Sequence, residues 1–99
     1  MQCADLQFDL DTHEFRAAGL PLELTLREHD VLETLMLRQG KTVTKAQLMV
    51  KVFDLGSEAS ENAIETYVHR LRRKLAGSQA RILTLRGLGY LLRDAGATT

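Results

Sequence analysis

Large apolar residues alternate with polar ones over the first quarter of the chain. Between Leu6 and Leu24 they fall mostly two positions apart, which is the period of a β-strand with one buried face. Turn-forming residues at Asp11-Thr12 and at Gly19 divide this stretch. We therefore expect about three short strands, arranged as an antiparallel sheet that is covered on one face.

Two helices are predicted where a capping sequence precedes apolar residues at helical spacing. Residues 25–28 and 44–47 each begin with threonine and end with Glu or Gln, a pattern in which side chains satisfy two free amides of a helix start. The first helix is expected to end near Gln39, with Gly40 as its left-handed cap. The apolar faces are expected to contain Val31, Leu32, Leu35 and Met36 in the first helix and Leu48, Met49, Val50, Val52 and Phe53 in the second.

A third helix is expected over residues 61–76, capped by Ser60 or Asn62 and ended by Gly77. Its apolar residues lie within about 60° of arc at 100° per residue, and they are Ile64, Val68, Leu71 and Leu75. Residues 81–93 then predict a β-hairpin with its turn at residues 86–89. The pattern predicts an α+β fold with an N-terminal antiparallel sheet, three helices and a C-terminal hairpin.

Length and composition favour one small globular domain. The 99 residues support a single core, which we expect over residues 1–94, with residues 95–99 as a disordered tail. Apolar residues make up 44% of the chain, but no run approaches the roughly 20 residues of a membrane span. No secretory signal is visible, so a cytoplasmic location is expected. Cys3 is the one cysteine and has no partner for an internal disulfide.

The charges are unevenly distributed, although the formal net charge is zero. Residues 1–60 hold six Lys/Arg and ten Asp/Glu, whereas residues 61–93 hold seven and two. This concentration of positive charge in the last third of the chain would attract a polyanion.

The polar face of the third helix carries the residues best suited to contact DNA. A helix fits the major groove of B-DNA, where arginine can bond the O6 and N7 atoms of guanine. The same charges are also typical of a solvated helix face that is partly paired with Glu61 and Glu65. This face holds Asn62, Thr66, His69 and Arg73, with Ala63 and Arg70 on one shoulder and Arg72 close to the core edge.

The hairpin that follows this helix places Arg86 at its turn. A basic helix beside an arginine-bearing turn offers two contact elements for one duplex, and arginine is favoured in a narrow minor groove. Alternatively, Arg86 only shapes the turn. Gly87 and Gly89 do not form a phosphate-binding loop, because a strand and not a helix follows them.

No residue pattern predicts catalysis, a cofactor or a metal site. We expect no cysteine partner and no ligand at i+4 for His13, His29 and His69. No serine or cysteine lies in an activating context. Two alternatives to DNA binding are a module that binds an acidic protein surface and a small hydrolase. A hydrolase would require a pocket that contains acidic or basic groups with shifted pKa values.

Three blocks of this sequence resemble the effector domain of OmpR/PhoB-type response regulators. Residues 24–28 match that family's L-T-x-x-E entry to the first helix. Residues 62–75 resemble its N-x-[VI]-[DE]-x-x-[VI]-x-x-L-R-x-K-[LI] recognition helix, and residues 84–90 resemble its T-V-R-G-x-G-Y wing. The similarity runs from about Leu6 to Arg93. Tyr67 stands where the family usually has a phosphate-contacting histidine, and Thr66 replaces a common valine.

The resemblance implies a winged helix-turn-helix with a four-stranded N-terminal sheet, whose recognition helix, residues 61–76, enters the major groove. The wing, residues 82–92, would lie at the minor groove, with Arg86 entering it. Arg72 also suits an ion pair with Glu65 or with a first-helix carboxylate. Base contacts are expected from Ala63, Thr66, Arg70 and Arg73, and backbone contacts from Asn62, Tyr67, His69, Arg72 and Thr84.

The resemblance also implies partners for a regulator of transcription. These are double-stranded DNA with a direct-repeat operator, a second copy of the chain bound in tandem, RNA polymerase and an upstream receiver domain. The loop expected to contact RNA polymerase consists of Asp54, Leu55, Gly56, Ser57, Glu58 and Ala59.

Overall fold

The computed structural model describes residues 1–52 and 61–96. Four strands are followed by three helices and a final pair of strands, so the expected α+β architecture is confirmed. The elements are β1 Gln2–Cys3, β2 Leu6–Phe8, β3 Phe15–Ala17, β4 Leu20–Pro21, α1 Leu26–Leu37, α2 Lys45–Val52, α3 Glu61–Lys74, β5 Ala80–Leu85 and β6 Gly89–Asp94.

The N-terminal sheet is an antiparallel meander in the order β1-β2-β3-β4. Phe8 pairs with Phe15 across β2 and β3, and both rings are buried, whereas Gln7 and Arg16 on the alternate positions are exposed. The three strands expected between Leu6 and Leu24 are β2, β3 and β4, and β1 is the fourth. The alternation does not predict burial at every apolar position, because Leu10 and Leu20 are exposed.

Helix α1 begins at the capping box predicted for residues 25–28. The Glu28 amide donates to Thr25 Oγ1 at 3.3 Å, and the Thr25 amide donates to Glu28 Oε1 at 3.0 Å. The helix ends at Leu37, two residues before the expected end, and Gly40 follows with a φ of +79°. Here the Gly40 amide donates to the carbonyl of Leu92, so the chain after α1 turns toward β6.

Helix α2 has the second predicted capping box. Thr44 and Gln47 exchange amide-to-side-chain hydrogen bonds of 2.9 and 3.1 Å. Leu48 and Val52 are buried, but the prediction that Val50 widens the buried face is wrong, because its side chain is 80% exposed. Val50 is two residues from Leu48, which at 100° per residue turns it away from the core. Phe53 lies outside the described residues.

Helix α3 buries the four predicted residues Ile64, Val68, Leu71 and Leu75. It ends at Lys74, two residues before the expected end, and residues 75–77 form a turn. Asn62 lies inside the helix and is therefore not its cap, while Ser60 lies outside the described residues. The three helices and the inner faces of both sheets share one hydrophobic core.

The wing is a hairpin of β5 and β6, and backbone hydrogen bonds join it to the segment just before α2. Its register runs from Ala80 opposite Asp94 to Leu85 opposite Gly89. Val43 and Tyr90 exchange two backbone hydrogen bonds, of 2.7 and 2.9 Å. A side chain at Gly89 would put its Cβ 2.1 Å from the carbonyl oxygen of Val43, so the close approach requires glycine.

Candidate nucleic-acid interface

The polar face of α3 is directed to solvent because the opposite face is buried in the core. Its side chains vary in exposure, since Ala63 and Tyr67 are half-buried at the edges. The Thr66 hydroxyl donates to the carbonyl of Asn62 at 3.0 Å, and Thr66 is exposed. The exposed predicted contact residues are Asn62, Thr66, His69, Arg70, Arg72 and Arg73.

An ion pair joins α3 to the start of α2. Lys45 Nζ lies 2.6 Å from Glu65 Oε1, so the carboxylate on the polar face of α3 is compensated by a neighbouring helix. Within residues 1–52 and 62–96, Arg70 and Arg73 have no ion-pair partner. Both guanidinium groups therefore remain available to a ligand from solvent.

Arg72 contacts the wing. Its Nε donates to the carbonyl of Ile82 at 3.0 Å, and its Nη2 donates to the hydroxyl of Thr84. The alternative that Arg72 pairs with Glu65 or a first-helix carboxylate is wrong, because Arg72 forms no ion pair with any of the described residues, whereas Lys45 pairs with Glu65 and Lys74 pairs with Glu28. The planar guanidinium suits β5, whose carbonyl and hydroxyl acceptors lie two residues apart.

The wing carries Arg86 at its tip beside exposed glycine and leucine. The Leu88 amide donates to the carbonyl of Leu85 at 2.9 Å, and Gly87 has a φ of +75°, so this is a tight turn. Arg86 is exposed, as is Leu88. The hairpin thus presents one cation at its end.

A groove lies between α3, the start of α2 and the wing. Three cationic side chains border it, and one of them is paired with the only acidic residue among its described lining residues. Such a concave, basic surface is suited to a phosphate-bearing polymer. The lining residues are Thr44, Lys45, Glu65, Val68, Arg72, Thr84, Leu85, Arg86, Gly87, Leu88, Gly89 and Tyr90.

Residues 19–92 match the family described as "Transcriptional regulatory protein, C terminal". The chain belongs to this family. It is 51% identical over 82 residues to the transcriptional regulatory protein TctD of Salmonella typhimurium (strain SL1344), covering 83% of this chain and 37% of that protein. It is 40% identical over 86 residues to the response regulator protein PmrA of Pseudomonas aeruginosa, covering 87% of this chain and 38% of that protein.

The fold of the chain also matches solved domains of the same class. The DNA-binding domain of the response regulator AdeR, solved in complex with an intercistronic region, superposes with a TM-score of 0.82 at 28% identity, covering 95% of this chain and 99% of that one. The resemblance to OmpR/PhoB-type effector domains and the winged-helix fold are thereby confirmed. The chain spans about two fifths of the length of the curated relatives described above.

Several charged residues of this effector domain serve the fold and were missed in the sequence. Lys74 Nζ lies 2.6 Å from Glu28 Oε1, so the last basic residue of α3 is directed to α1. Arg81 donates to the carbonyls of Leu75 and Ala80 at 3.4 and 3.0 Å. Asp5 accepts from the Ser78 hydroxyl and from the Gln79 amide. These contacts link residues that are distant in sequence, and no local pattern predicts them.

The expectation that no histidine has a ligand at i+4 is wrong for His29. Glu33 lies at i+4, with His29 Nδ1 4.0 Å from Glu33 Oε2, and Asp30 brings a third possible ligand atom within 4.8 Å. His13 Nδ1 lies 2.8 Å from Glu33 Oε1, and His29 Nε2 lies 2.6 Å from the carbonyl oxygen of His13. These side chains join the β2–β3 connection to α1, and none of them lines the groove at the wing.

The predicted RNA polymerase loop, residues 54–59, lies outside the described residues. Within the described residues, none of the helices combines the length and the apolar character needed to cross a bilayer.

Proposed function

We propose that this chain binds double-stranded DNA in a sequence-specific manner, as the output domain of a response regulator that controls transcription. The observation that carries this proposal is the continuous exposed surface of α3 and the wing. Arg70, Arg73 and Arg86 lie on it without an ion pair among the described residues. Family membership supports the same conclusion, as does the fold shared with the AdeR domain, which was solved with DNA.

The roles of the individual residues follow from their positions. On the outer face of α3, Ala63, Thr66, Arg70 and Arg73 are proposed to contact base edges in the major groove, where arginine distinguishes guanine. Arg86 is proposed to enter the adjacent minor groove. Backbone phosphates are proposed to contact Asn62, Tyr67, His69, Arg72 and Thr84, of which Thr84 lies on the wing strand β5.

The proposal extends to the assembly in which the domain acts. Two copies are proposed to bind a direct repeat in tandem, with half-sites about one helical turn apart. Because the curated relatives are more than twice as long as their aligned segments, an upstream receiver domain is proposed as the regulated part of the protein. RNA polymerase is proposed to bind the segment of residues 54–59. The domain itself is proposed to have no catalytic role.

Selection of bound sites from random duplex DNA tests this proposal. We expect enrichment of one motif, present as a direct repeat, and binding to it that exceeds binding to random duplex by at least about a thousandfold. The logarithm of the affinity should fall linearly with the logarithm of the salt concentration, because bound phosphates release counterions.

Two outcomes would contradict the proposal. The first is the absence of any enriched motif, which is the result expected of a module for an acidic protein surface. The second is equal affinity for the enriched and the random duplex, which would leave only nonspecific electrostatic binding.

A further inference from the structure

Arg72 joins the two elements that the proposed function brings to DNA. It lies on α3 between buried Leu71 and exposed Arg73, and its guanidinium extends to β5. Two of its donors are used there, Nε on the carbonyl of Ile82 at 3.0 Å and Nη2 on the hydroxyl of Thr84. Thr84 is two residues before Arg86, so this contact lies close to the tip of the wing.

The wing is held from both of its edges. On the β6 side, Tyr90 exchanges two backbone hydrogen bonds with Val43. On the β5 side, no further strand of the described residues pairs with the hairpin, and Arg72 supplies hydrogen bonds from α3. Arg72 therefore helps to fix the distance between α3 and the strand that leads to Arg86.

The geometry depends on arginine and not on positive charge alone. The guanidinium is planar, and its donors have fixed relative directions, so two simultaneous bonds to Ile82 and Thr84 define the orientation of the strand. Lysine has the same charge but a single nitrogen on a flexible stem, and it cannot reproduce both bonds in one arrangement.

From these contacts we infer that Arg72 is a positioning residue, which holds the wing so that Arg86 and the outer face of α3 engage adjacent grooves together. The inference rests on the proposed DNA binding and adds a positioning role to the phosphate contact that is proposed for Arg72. Contacts in the two grooves then depend on each other, because the loss of the Arg72 bonds lets the wing move relative to α3.

A double-mutant cycle on the selected DNA site tests this dependence. Arg72→Lys, Arg86→Ala and the double variant are compared with the unmodified chain by equilibrium binding. We expect Arg72→Lys to weaken binding several-fold while the salt dependence is retained, since the charge remains. The fold-loss of affinity caused by Arg86→Ala should be at least about threefold smaller in the Arg72→Lys background. The effects of two mutations add when the sites are independent, and they do not add when one residue positions the other.

Arg73→Lys is the matched control for the cycle. It changes the same residue type at the next position of α3, where no bond to the wing exists among the described residues. Its effect and that of Arg86→Ala should therefore combine additively. The cycle is repeated in Thr84→Ser and Thr84→Val backgrounds. Retention of the coupling in Thr84→Ser, which keeps the hydroxyl, and its reduction in Thr84→Val would assign the coupling to the bond between Arg72 and Thr84.

Hydrogen exchange of the free protein provides a measurement that does not depend on DNA. The Arg72 Nε–H should exchange more slowly than the Arg73 Nε–H, and Arg72→Lys should accelerate exchange of the β5 amides. If the chain selected no DNA site, the proposed function would fail, and the exchange rate of Arg72 would still decide whether the bridge exists. Additive effects of Arg72→Lys and Arg86→Ala would overturn the inference and leave Arg72 as a phosphate contact. Equal exchange of the two arginines would overturn it as well.

Discussion

Lys74 at the end of α3 donates to Glu28 in the first turn of α1, with 2.6 Å between Nζ and Oε1. The same carboxylate oxygen accepts the amide of Thr25, so one buried group both caps α1 and fixes it to α3. Burial raises the pKa of the Glu28 carboxyl, but the hydrogen bonds from Lys74 and from Thr25 outweigh burial, and the pKa lies below its usual value. The carboxylate is therefore ionised at neutral pH.

Replacement of Lys74 should destabilise the fold. Lys74→Met leaves the Glu28 side chain, which is 1% exposed, with one charge-assisted hydrogen bond fewer. We expect the free energy of unfolding at neutral pH to fall by about 1 to 3 kcal/mol. Urea denaturation followed by circular dichroism measures this change.

Lys45→Met is the control for that change, because Lys45 and Glu65 are also 2.6 Å apart but the Glu65 side chain is 53% exposed. Its expected cost is about 0 to 1 kcal/mol. Equal losses in the two variants would contradict the view that burial of the carboxylate gives the Lys74 pair its importance.

The sequence predicts the elements that depend on neighbouring residues. Thr25 and Thr44 mark the two helix starts because a capping box is complete within four residues. The buried face of α3 is predicted because four apolar residues recur at helical spacing and so lie on one face of the helix. The exposed position of Val50 follows from the same period, because a residue two positions from Leu48 turns away from the core, and the prediction that it widens the buried face overlooked this.

Contacts between distant residues could not be predicted in this way. Arg72 was assigned to phosphate or to a carboxylate, whereas its bonds to β5 depend on how the hairpin lies against α3. The bond of Lys74 to Glu28 crosses 46 residues, and that of Ser78 to Asp5 crosses 73. These partners are chosen by the packing of whole elements, for which a single sequence provides no pairwise signal.

The bond network of Asp5 should make stability depend on pH. The Ser78 hydroxyl and then the Gln79 amide hold the pKa of the Asp5 carboxyl below its usual value. A pKa that is lower in the folded than in the unfolded state stabilises the fold at pH values above the unfolded pKa, near 3.8. This stabilisation is lost as the pH falls through the pKa of the folded state. Asp5→Asn should therefore lower the melting temperature at pH 7 and have a smaller effect at about pH 2.5.

Thermal melts over this pH range check the prediction for Asp5. Asp11→Asn is the control, since Asp11 is exposed in the β2–β3 turn and its side chain has no hydrogen bond among the described residues. An effect of Asp5→Asn that is the same at both pH values would show that the charge of Asp5 contributes nothing to stability.

The two glycines of the wing should respond differently to alanine. At Gly89, with a φ of +144°, the new Cβ meets the backbone of Val43, and we expect a loss of about 2 kcal/mol or more. At Gly87, with a φ of +75°, the space is open, so only the backbone strain of about 1 to 2 kcal/mol applies. Chemical denaturation of Gly89→Ala and Gly87→Ala measures both. A loss for Gly89→Ala no larger than that for Gly87→Ala would show that β6 moves freely away from Val43.

Loss of Arg70 should reduce sequence preference without unfolding the chain. Arg70 is exposed, and Arg70→Ala should weaken binding to the selected site by about 1 to 3 kcal/mol if a bidentate base contact is lost. The effect is measured with a panel of duplexes in which each base pair is varied, and one position should lose its preference.

Arg38→Ala serves as the control for Arg70, because Arg38 is an exposed arginine at the end of α1 that does not line the groove at the wing. Its affinity should stay close to that of the unmodified chain. If Arg70→Ala remains folded and keeps both affinity and base preference, Arg70 contacts no base.

Arg86 should contribute most where the flank of the binding site is rich in A·T pairs. Such sequences narrow the minor groove and strengthen its negative potential, which favours an inserted arginine. Arg86→Ala should therefore weaken binding strongly on an A·T-rich flank and mildly on a G·C-rich one. The slope of affinity against salt should become shallower by about one unit, because one cation is lost.

The measurement compares the affinities of Arg86→Ala and the unmodified chain at several salt concentrations, on two sites that differ only in the flank. Arg86→Lys separates charge from shape, since it restores the salt slope but only part of the preference for the A·T-rich flank. Equal losses on both flanks would show that Arg86 contacts phosphate alone. No loss on either flank would show that its exposed side chain only shapes the turn before Gly87.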